Sequence, residues 1–189
     1  MTLPALGPAA VLVPVKAFAA AKRRLAPALP PEERAVLARV MAETVVAAAD
    51  GLPVAVVADD PEVVAWARGL GLLVLWEPGR GLNGAVHAGV DQLRAAGVEQ
   101  VVVAHADLPL ADHLGWVAAF PGVTLVPDRR DDGTNVLGVP TDVDFRFAYG
   151  PGSFRRHLDE VGRLGLPVRI VRAPRLSHDV DVPADLLSS

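Results

Sequence analysis

The stretch that decides the fold is LLVLWEPGRGLNGAVHAGVDQLRAA, residues 72–96, in which an apolar run passes through a glycine-rich turn into a helical pattern. Gly79, Gly81 and Gly84 reproduce the G-x-G-x-x-G spacing of a dinucleotide-binding turn, in the strand–turn–helix setting that this motif requires. The spacing is compatible with a nicotinamide-dependent oxidoreductase or with another nucleotide-handling α/β fold, and the rest of the chain has to separate the two.

Short apolar runs alternate with helical patterns on both sides of this stretch. The runs occupy residues 10–15, 54–58, 72–76, 101–105, 123–127, 135–139 and 168–173. Because they are apolar on both faces, they suit the buried strands of a mostly parallel sheet. Helical patterns fill the intervals, at residues 32–50, 62–71, 83–96, 110–119, 151–164 and 183–187. The alternation predicts a three-layer α/β/α fold in one domain spanning residues 1–189.

The composition excludes several classes of protein. The 189 residues contain no cysteine, so disulfide frameworks, thiol nucleophiles and cysteine-ligated metals are excluded. No apolar run approaches the ~18 residues of a membrane span, and the N-terminus lacks the pattern of a signal peptide. A net charge of −4 argues against a broad nucleic-acid-binding face. We therefore expect a cytoplasmic protein that acts on small molecules, without nucleic-acid or membrane partners.

Charged residues follow two of the predicted strands at the points where ligands usually bind. Parallel α/β sheets bind ligands outside the carboxyl ends of their strands, near a topological switch point. Lys16, Lys22, Arg23 and Arg24 follow the first strand and could hold a polyphosphate, although a solvated basic turn fits them equally well. Asp107 follows the strand at 101–105 and could bind a ligand there or serve as a turn residue. No Walker motif is present, which sets P-loop enzymes aside.

Paired acids stand near the C-terminus, in HDVDVPADL, residues 178–186. On an extended segment the side chains of Asp179 and Asp181 point to the same side, where two like charges repel unless a cation lies between them. Hard carboxylate oxygens suit Mg²⁺, which often bridges to phosphate. The alternative is a polar tail in which Pro183 and Asp185 begin the last helix.

Two glycine-rich turns carry hydroxyl groups, DDGTNVL at 131–137 and YGPGSFRRH at 149–157. The second leads into a helix, whose free N–H groups could bind an anion or could form an ordinary capped helix start. The five histidines show no metal-binding spacing, and Ser153 has no nucleophile elbow around it. Hydrolytic chemistry therefore finds no support in the sequence.

Six motifs, taken in order, resemble the guanylyltransferases of deazaflavin coenzyme F-420 biosynthesis. They are VPVKAFAAAKRRLAP, GLNGAV, ADLPL, PDRRDDGTNVL, FAYGPGSFRRH and HDVDVPADL, and together they span nearly the whole chain. The resemblance implies a Rossmann-like fold of the nucleotide-diphospho-sugar-transferase type, shared with molybdenum-cofactor guanylyltransferases and sugar-phosphate nucleotidylyltransferases. The glycine-rich L-x-G-G-x-S-x-R-M loop of those relatives is replaced here by the lysine-containing loop.

The resemblance further implies transfer of GMP from GTP to phosphoenolpyruvate or 2-phospho-L-lactate, with Mg²⁺ as cofactor and pyrophosphate as product. Lys16, Lys22 and Asp107 would be catalytic. The resemblance implies that Lys16, Lys22 and Arg24 contact the triphosphate and that Gly81, Leu82 and Asn83 contact the guanosine. It implies that Asp107, Asp179 and Asp181 bind Mg²⁺. The implied acceptor contacts are Thr134, Gly150 and Ser153. His105 and Ala106 depart from the apolar or small residues typical of the family.

Three questions stay open at this level. The sequence does not choose between the two acceptors, or between a monomer and a homodimer. Alternatives to the implied activity are a nucleotidylyltransferase charging a sugar phosphate or molybdopterin, and a non-catalytic GTP-binding module. The G-x-G-x-x-G spacing follows an internal strand, whereas in dinucleotide-binding folds it follows the first strand. We therefore interpret it as a chance match around a GLN turn. A nicotinamide-dependent oxidoreductase is the weakest alternative.

Overall fold

The computed structural model describes residues 3–187, and within this range seven strands form one sheet. They are β1 Ala9–Pro14, β2 Val54–Ala58, β3 Leu73–Trp76, β4 Gln100–Ala104, β5 Val123–Pro127, β6 Thr134–Pro140 and β7 Val168–Ile170. Their spatial order is β3-β2-β1-β4-β6-β5-β7. Every pairing is parallel except the two made by β6, with β4 and with β5. The predicted mostly parallel sheet is confirmed, and β6 is its antiparallel member.

Helices fill the connections. They are α1 Pro31–Ala47, α2 Pro61–Gly69, α3 Gly81–Ala95, α4 Gly115–Ala118 and α5 Ser153–Leu164, with 3-10 turns at Phe18–Ala20, Arg23–Leu25 and Pro183–Leu187. Asp60 caps α2, since its carboxylate accepts from the N–H groups of Glu62 and Val63 at 2.9 and 3.2 Å. None of the helices within residues 3–187 has both the length and the apolar character needed to cross a membrane.

The prediction of a helix over residues 110–119 is wrong for its first half, because α4 begins only at Gly115. The N–H of Leu114 donates to the carbonyl of Ala48 at 2.8 Å, and that of Gly115 donates to the Asp50 carboxylate at 3.1 Å. These bonds attach the segment to the end of α1, so the backbone groups that would start an earlier helix are already used.

Two apolar layers cover the faces of the sheet. Val11 and Val13 of β1 face a cluster that contains side chains of α1, α2 and α4. Ala10 and Leu12 point the other way, into a cluster with side chains of α3 and α5. Because successive residues of a strand face opposite sides, a strand between two helical layers is apolar throughout. The three-layer α/β/α architecture is confirmed.

The topology places a switch point beside β1. From β1 the chain proceeds to β2 and β3 on one side, and then returns to β4 on the other side. The segments that follow β1 and β4 therefore leave the sheet in different directions, which opens a crevice at the carboxyl ends of these strands. Antiparallel β6 begins at the same edge, with Thr134. The N–H of Val180 donates to the carbonyl of Asp107 at 3.2 Å, which brings the C-terminal segment to this crevice as well.

Candidate functional site

The segment after β1 turns back over the sheet edge and carries the cluster of cations. We call residues 16–25 the basic segment. It contains two 3-10 turns, and Lys22 between them has a φ of 53°, in the left-handed region that side-chain-bearing residues seldom adopt. Arg34 of α1 donates to the carbonyl of Ala21 at 3.2 Å and thereby attaches the basic segment to α1.

Two ion pairs join the basic segment to carboxylates on distant parts of the chain. Lys22 Nζ lies 2.6 Å from Asp107 Oδ2, and the side chains of Lys22 and Asp107 are 9% and 26% exposed. Arg24 Nη1 lies 2.7 Å from Asp181 Oδ2 in a more open position. These four residues and Lys16 line one cleft of about 350 Å³. The structure therefore brings the predicted triphosphate contacts together with two of the three predicted metal carboxylates.

A larger cleft, of about 930 Å³, lies at the opposite edge of the sheet, beside Ala9 and Gln100 where β1 and β4 begin. Its charged lining residues are Arg94, Glu99 and Asp142. We place the site in the smaller cleft because ligands of parallel α/β sheets bind at the carboxyl ends of the strands, and because the clustered ion pairs lie there.

Asp107 lies close enough to Asp179 to influence the ionisation of that carboxyl. Burial acts to raise the pKa of Asp107, but the charge and hydrogen bond of Lys22, together with His105 and a backbone N–H, lower that pKa below its usual value. The pKa of Asp179 is raised, first by burial and then by the negative charge of Asp107. Oδ1 of each carboxylate is buried with no hydrogen-bond partner among the described residues. Two neighbouring carboxylates with unpartnered hard oxygens fit a divalent cation.

The third predicted carboxylate does not complete this group. Within residues 3–187, no three His, Asp or Glu side chains are placed to hold a metal ion together. The carboxylate of Asp181 pairs with Arg24 instead. The N–H groups of Asp181 and Val182 both donate to Asp185 Oδ2 at 2.8 Å, which fixes the backbone after Asp179, and the same-side orientation expected for Asp179 and Asp181 stays a prediction. Asp107 and Asp179 are therefore the assembled pair.

Asp185 has a structural role that the sequence does not reveal. Its side chain is buried, and besides the two N–H groups it accepts from Arg129 Nη2 at 2.6 Å. Burial acts to raise the pKa of Asp185, but the N–H groups of Val182 and Asp181 and the Arg129 guanidinium lower it. Its charged partner lies far away in the sequence, so no local pattern could indicate the contact.

The GLN turn forms the start of α3, two residues earlier than predicted. Gly79 and Gly81 have φ values of 74° and 63° and turn the chain after β3, the outermost strand of the sheet. Leu82 lines the cleft. The Asn83 carboxamide accepts from the N–H of Tyr149 at 2.7 Å and donates to its carbonyl at 3.4 Å. Asn83 thus ties α3 to the loop before α5, and its contact with guanosine stays a prediction.

The predicted acceptor residues meet where β6 begins and α5 begins. The N–H of Thr134 donates to Ser153 Oγ at 3.0 Å, and both side chains are buried. His157 Nε2 accepts from the N–H of Ala148 at 3.0 Å, so the ring proton resides on Nδ1, which donates to Thr134 Oγ1 at 3.0 Å. Burial lowers the pKa of His157 to about 4. Gly150, with a φ of 116°, lies next to this group of side chains.

His105 also belongs to the site, although the sequence interpretation gave it no role. It follows β4, its ring lies 4.8 Å from that of Tyr149, and it lines the cleft. Burial lowers the pKa of His105, so the imidazole is neutral near pH 7. His105 Nε2 and the Tyr149 hydroxyl are both buried without a hydrogen-bond partner in the described range.

The fold and the position of the cleft define the structural class of this protein. A crystal structure from Desulfovibrio desulfuricans G20, assigned as a nucleotide-diphospho-sugar transferase, superposes with a TM-score of 0.75 over 98% of this chain and 85% of that chain, at 16% sequence identity. The protein therefore has the nucleotide-diphospho-sugar-transferase type of α/β fold, as the motifs predicted. At this level of identity the likeness establishes the fold alone.

The family follows from sequence comparison. Residues 9–188 match the family model described as guanylyl transferase CofC like. Phosphoenolpyruvate guanylyltransferases from Sphaerobacter thermophilus and Rubrobacter xylanophilus are 38% and 36% identical to this chain, each over 93% of it and over 89% and 90% of their own lengths. The chain belongs to the CofC-like guanylyl transferase family and is a nucleotidyltransferase. The family resemblance stated from the six motifs is confirmed, and the oxidoreductase alternative is excluded.

Proposed function

We propose that this protein transfers GMP from GTP, with Mg²⁺, to the phosphate of phosphoenolpyruvate in coenzyme F-420 biosynthesis. The observation that carries the proposal is that Lys22 pairs with Asp107 and Arg24 pairs with Asp181 at the switch point of the sheet, with Asp179 close to Asp107. The names of the two relatives favour phosphoenolpyruvate over 2-phospho-L-lactate as the acceptor. Because the proposed substrates are small metabolites, we propose that the reaction takes place in the cytoplasm.

The chemistry needs alignment and charge neutralisation. An oxygen of the acceptor phosphate attacks the α-phosphorus of GTP in line, a new P–O bond forms, and the bond to the pyrophosphate leaving group breaks. The acceptor phosphate is already ionised near neutral pH, so no general base is required. Lys16, Lys22 and Arg24 would bind the triphosphate and offset the repulsion between the two anions.

Asp107 and Asp179 are the residues that would hold Mg²⁺, with Asp181 able to join after release from Arg24. When bound, the ion supplies further charge neutralisation on the phosphate oxygens. In the structure Lys22 is paired with Asp107 and Arg24 with Asp181. A triphosphate competes for both cations and thereby frees both carboxylates, so binding of the nucleotide and of the metal ion should be coupled.

The remaining predicted contacts are assigned by position. Gly81, Leu82 and Asn83 at the start of α3 would border the guanosine. Thr134, Gly150 and Ser153 would border the acid, where the N-terminus of α5 favours negative charge. The Thr134 and Ser153 side chains hydrogen-bond within the protein, so they are expected to shape this pocket as much as to contact the acid.

The test is an assay of purified protein with GTP, Mg²⁺ and each acceptor in turn, followed by product mass and pyrophosphate release. We expect the guanylylated acid from phosphoenolpyruvate, and no product when ATP or CTP replaces GTP. Product only with a sugar phosphate or molybdopterin would assign a different nucleotidylyltransferase activity. GTP that raises the melting temperature without pyrophosphate release from any acceptor would indicate a binding module. Sedimentation of the same sample separates monomer from homodimer.

A further inference from the structure

His105, which lines the cleft, carries a buried nitrogen without a hydrogen-bond partner in the described part of the chain. His105 follows β4 at the switch point, and its Nε2 has no hydrogen-bond partner among residues 3–187. Buried polar atoms in folded proteins are nearly always paired, so an exception at a binding cleft calls for an explanation. The charged groups that face this ring are Asp107, Lys22, Asp179 and Lys16, which are the groups assigned above to the metal ion and the triphosphate.

The imidazole is held in place from the acceptor side. Its ring lies against the ring of Tyr149, with centroids 4.8 Å apart, and the ring of His157 packs edge-on against Tyr149 at 4.9 Å. The backbone of Tyr149 is fixed by both ends of the Asn83 carboxamide. The neighbour of Tyr149 is Gly150, one of the predicted acceptor contacts. His105 therefore stands between the metal carboxylates and the acceptor loop, on a support that restricts its orientation.

We propose that His105 is an acceptor-binding residue whose Nε2–H donates a hydrogen bond to the carboxylate of the phosphorylated acid. The proposal rests on the function proposed above. The acceptor phosphate must reach the α-phosphorus beside Lys22 and Asp107, so the carboxylate at the other end of a small acid extends toward Tyr149 and Gly150. His105 lies between these two positions, and none of the described residues forms a hydrogen bond with its Nε2.

Three variants test the assignment. His105→Phe keeps an aromatic ring against Tyr149 and removes the nitrogen. His105→Gln places an amide N–H close to the position of Nε2. His113→Phe is the matched control, because the His113 side chain is 77% exposed and pairs with Asp50 away from the cleft. The measurements are KM for the acceptor, kcat, and the Kd for GTP with Mg²⁺ by calorimetry in the absence of acceptor.

We expect His105→Phe to raise KM for the acceptor about tenfold to a hundredfold, as for loss of one hydrogen bond to a charged group. Its kcat and its Kd for GTP should stay within about threefold of wild type, because the metal and triphosphate contacts remain. His105→Gln should restore KM to within about threefold, and His113→Phe should match wild type. This split between KM and kcat is not expected from a purely structural residue.

Results that contradict the assignment of His105 can be distinguished from results that contradict the proposed function. An unchanged acceptor KM in His105→Phe, while the wild-type protein is active, overturns the assignment of His105 alone. A parallel loss of GTP affinity overturns it as well, since it would make His105 part of the nucleotide site. A wild-type protein that guanylylates neither acid overturns the proposed function and this assignment with it. If the Phe variant does not fold, His105→Asn removes the same contact with a smaller side chain and is subject to the same criteria.

Discussion

The two carboxylate oxygens of Asp107 have different surroundings in the cleft. Its Oδ2 binds Lys22 at 2.6 Å, and its Oδ1 is buried without a described partner. The position directly after β4 was predictable, because a residue that follows a buried parallel strand lies at the ligand edge of the sheet. The contact with Lys22 was not predictable, since the two residues are 85 positions apart and meet only through the fold.

We predict that Asp107→Asn lowers kcat at least ~100-fold, in line with loss of one preorganised electrostatic element. The fold should persist, because Asn has the same shape and its side-chain oxygen can still accept from Lys22. Steady-state rates at saturating GTP and Mg²⁺, with thermal unfolding, measure both effects. Asp112→Asn, in the same loop and paired with Arg175, is the control. Near-normal turnover of Asp107→Asn would remove Asp107 from the metal site.

A second prediction at this scale concerns pH. The pKa of His157 is about 4 in the folded protein and near 6.5 in an unfolded chain, so the unfolded state binds more protons between these values. The free energy of unfolding therefore falls as pH drops below about 6.5. Relative to a His157→Gln variant, wild type should lose about 1 kcal/mol between pH 7 and pH 5.5, measured by urea unfolding.

This difference isolates His157 because the other histidines titrate in both proteins. The lowered pKa of His105 acts in the same direction, and the raised pKa of His113 acts in the opposite one. Identical pH dependence of wild type and His157→Gln over this window would contradict the buried, neutral state of His157.

At the scale of the element, the basic segment shows where the structure goes beyond the sequence patterns. Its positive charges were visible in the sequence, whereas its two 3-10 turns and the left-handed Lys22 were not predicted. Helical and strand periodicity indicates long elements well, but short turns depend on contacts such as that from Arg34 to Ala21. The late start of α4 has the same kind of cause, since Ala48 and Asp50, directly after α1, provide the competing hydrogen-bond acceptors.

We predict that Arg24→Ala raises KM for GTP about tenfold and weakens its dependence on salt, because a phosphate contact is lost. The free energy of unfolding should change by less than about 1 kcal/mol, since the Arg24–Asp181 pair is exposed. The control is Arg155→Ala, which removes another exposed pair, with Asp159 on α5. Equal GTP kinetics in these two variants would exclude Arg24 from the triphosphate site.

At the scale of the whole molecule, the site depends on the position of the C-terminal segment. Residues 179–182 are held at the cleft in part by Asp185, which binds the backbone of this segment and Arg129 of the loop between β5 and β6. The sequence interpretation placed Asp179 and Asp181 at the correct edge of the sheet. It did not foresee that Asp181 pairs with Arg24.

We predict that Asp185→Asn lowers the free energy of unfolding by about 2 kcal/mol, because a buried acceptor loses its charge beside Arg129 and two N–H groups. Metal binding should weaken as well, as Asp179 loses its anchor, which Mn²⁺ titration can measure. Asp159→Asn, exposed on α5, should change stability by less than about 0.5 kcal/mol. A fully stable Asp185→Asn protein with unaltered Mn²⁺ affinity would show that the contact is dispensable.

The sequence by itself determined the strands, the main helices, the layer order and the edge of the sheet at which function would lie. It could do so because these features follow from local periodicity, from end signals such as Asp60, and from the direction of parallel strands. Tertiary structure alone decided which charges pair, as in Lys22 with Asp107 and Asp185 with Arg129. It also decided which buried atoms of His105 and Asp179 have no hydrogen-bond partner among the residues that the structure describes. Such contacts join residues that are distant along the chain, and no local pattern encodes the distance between them.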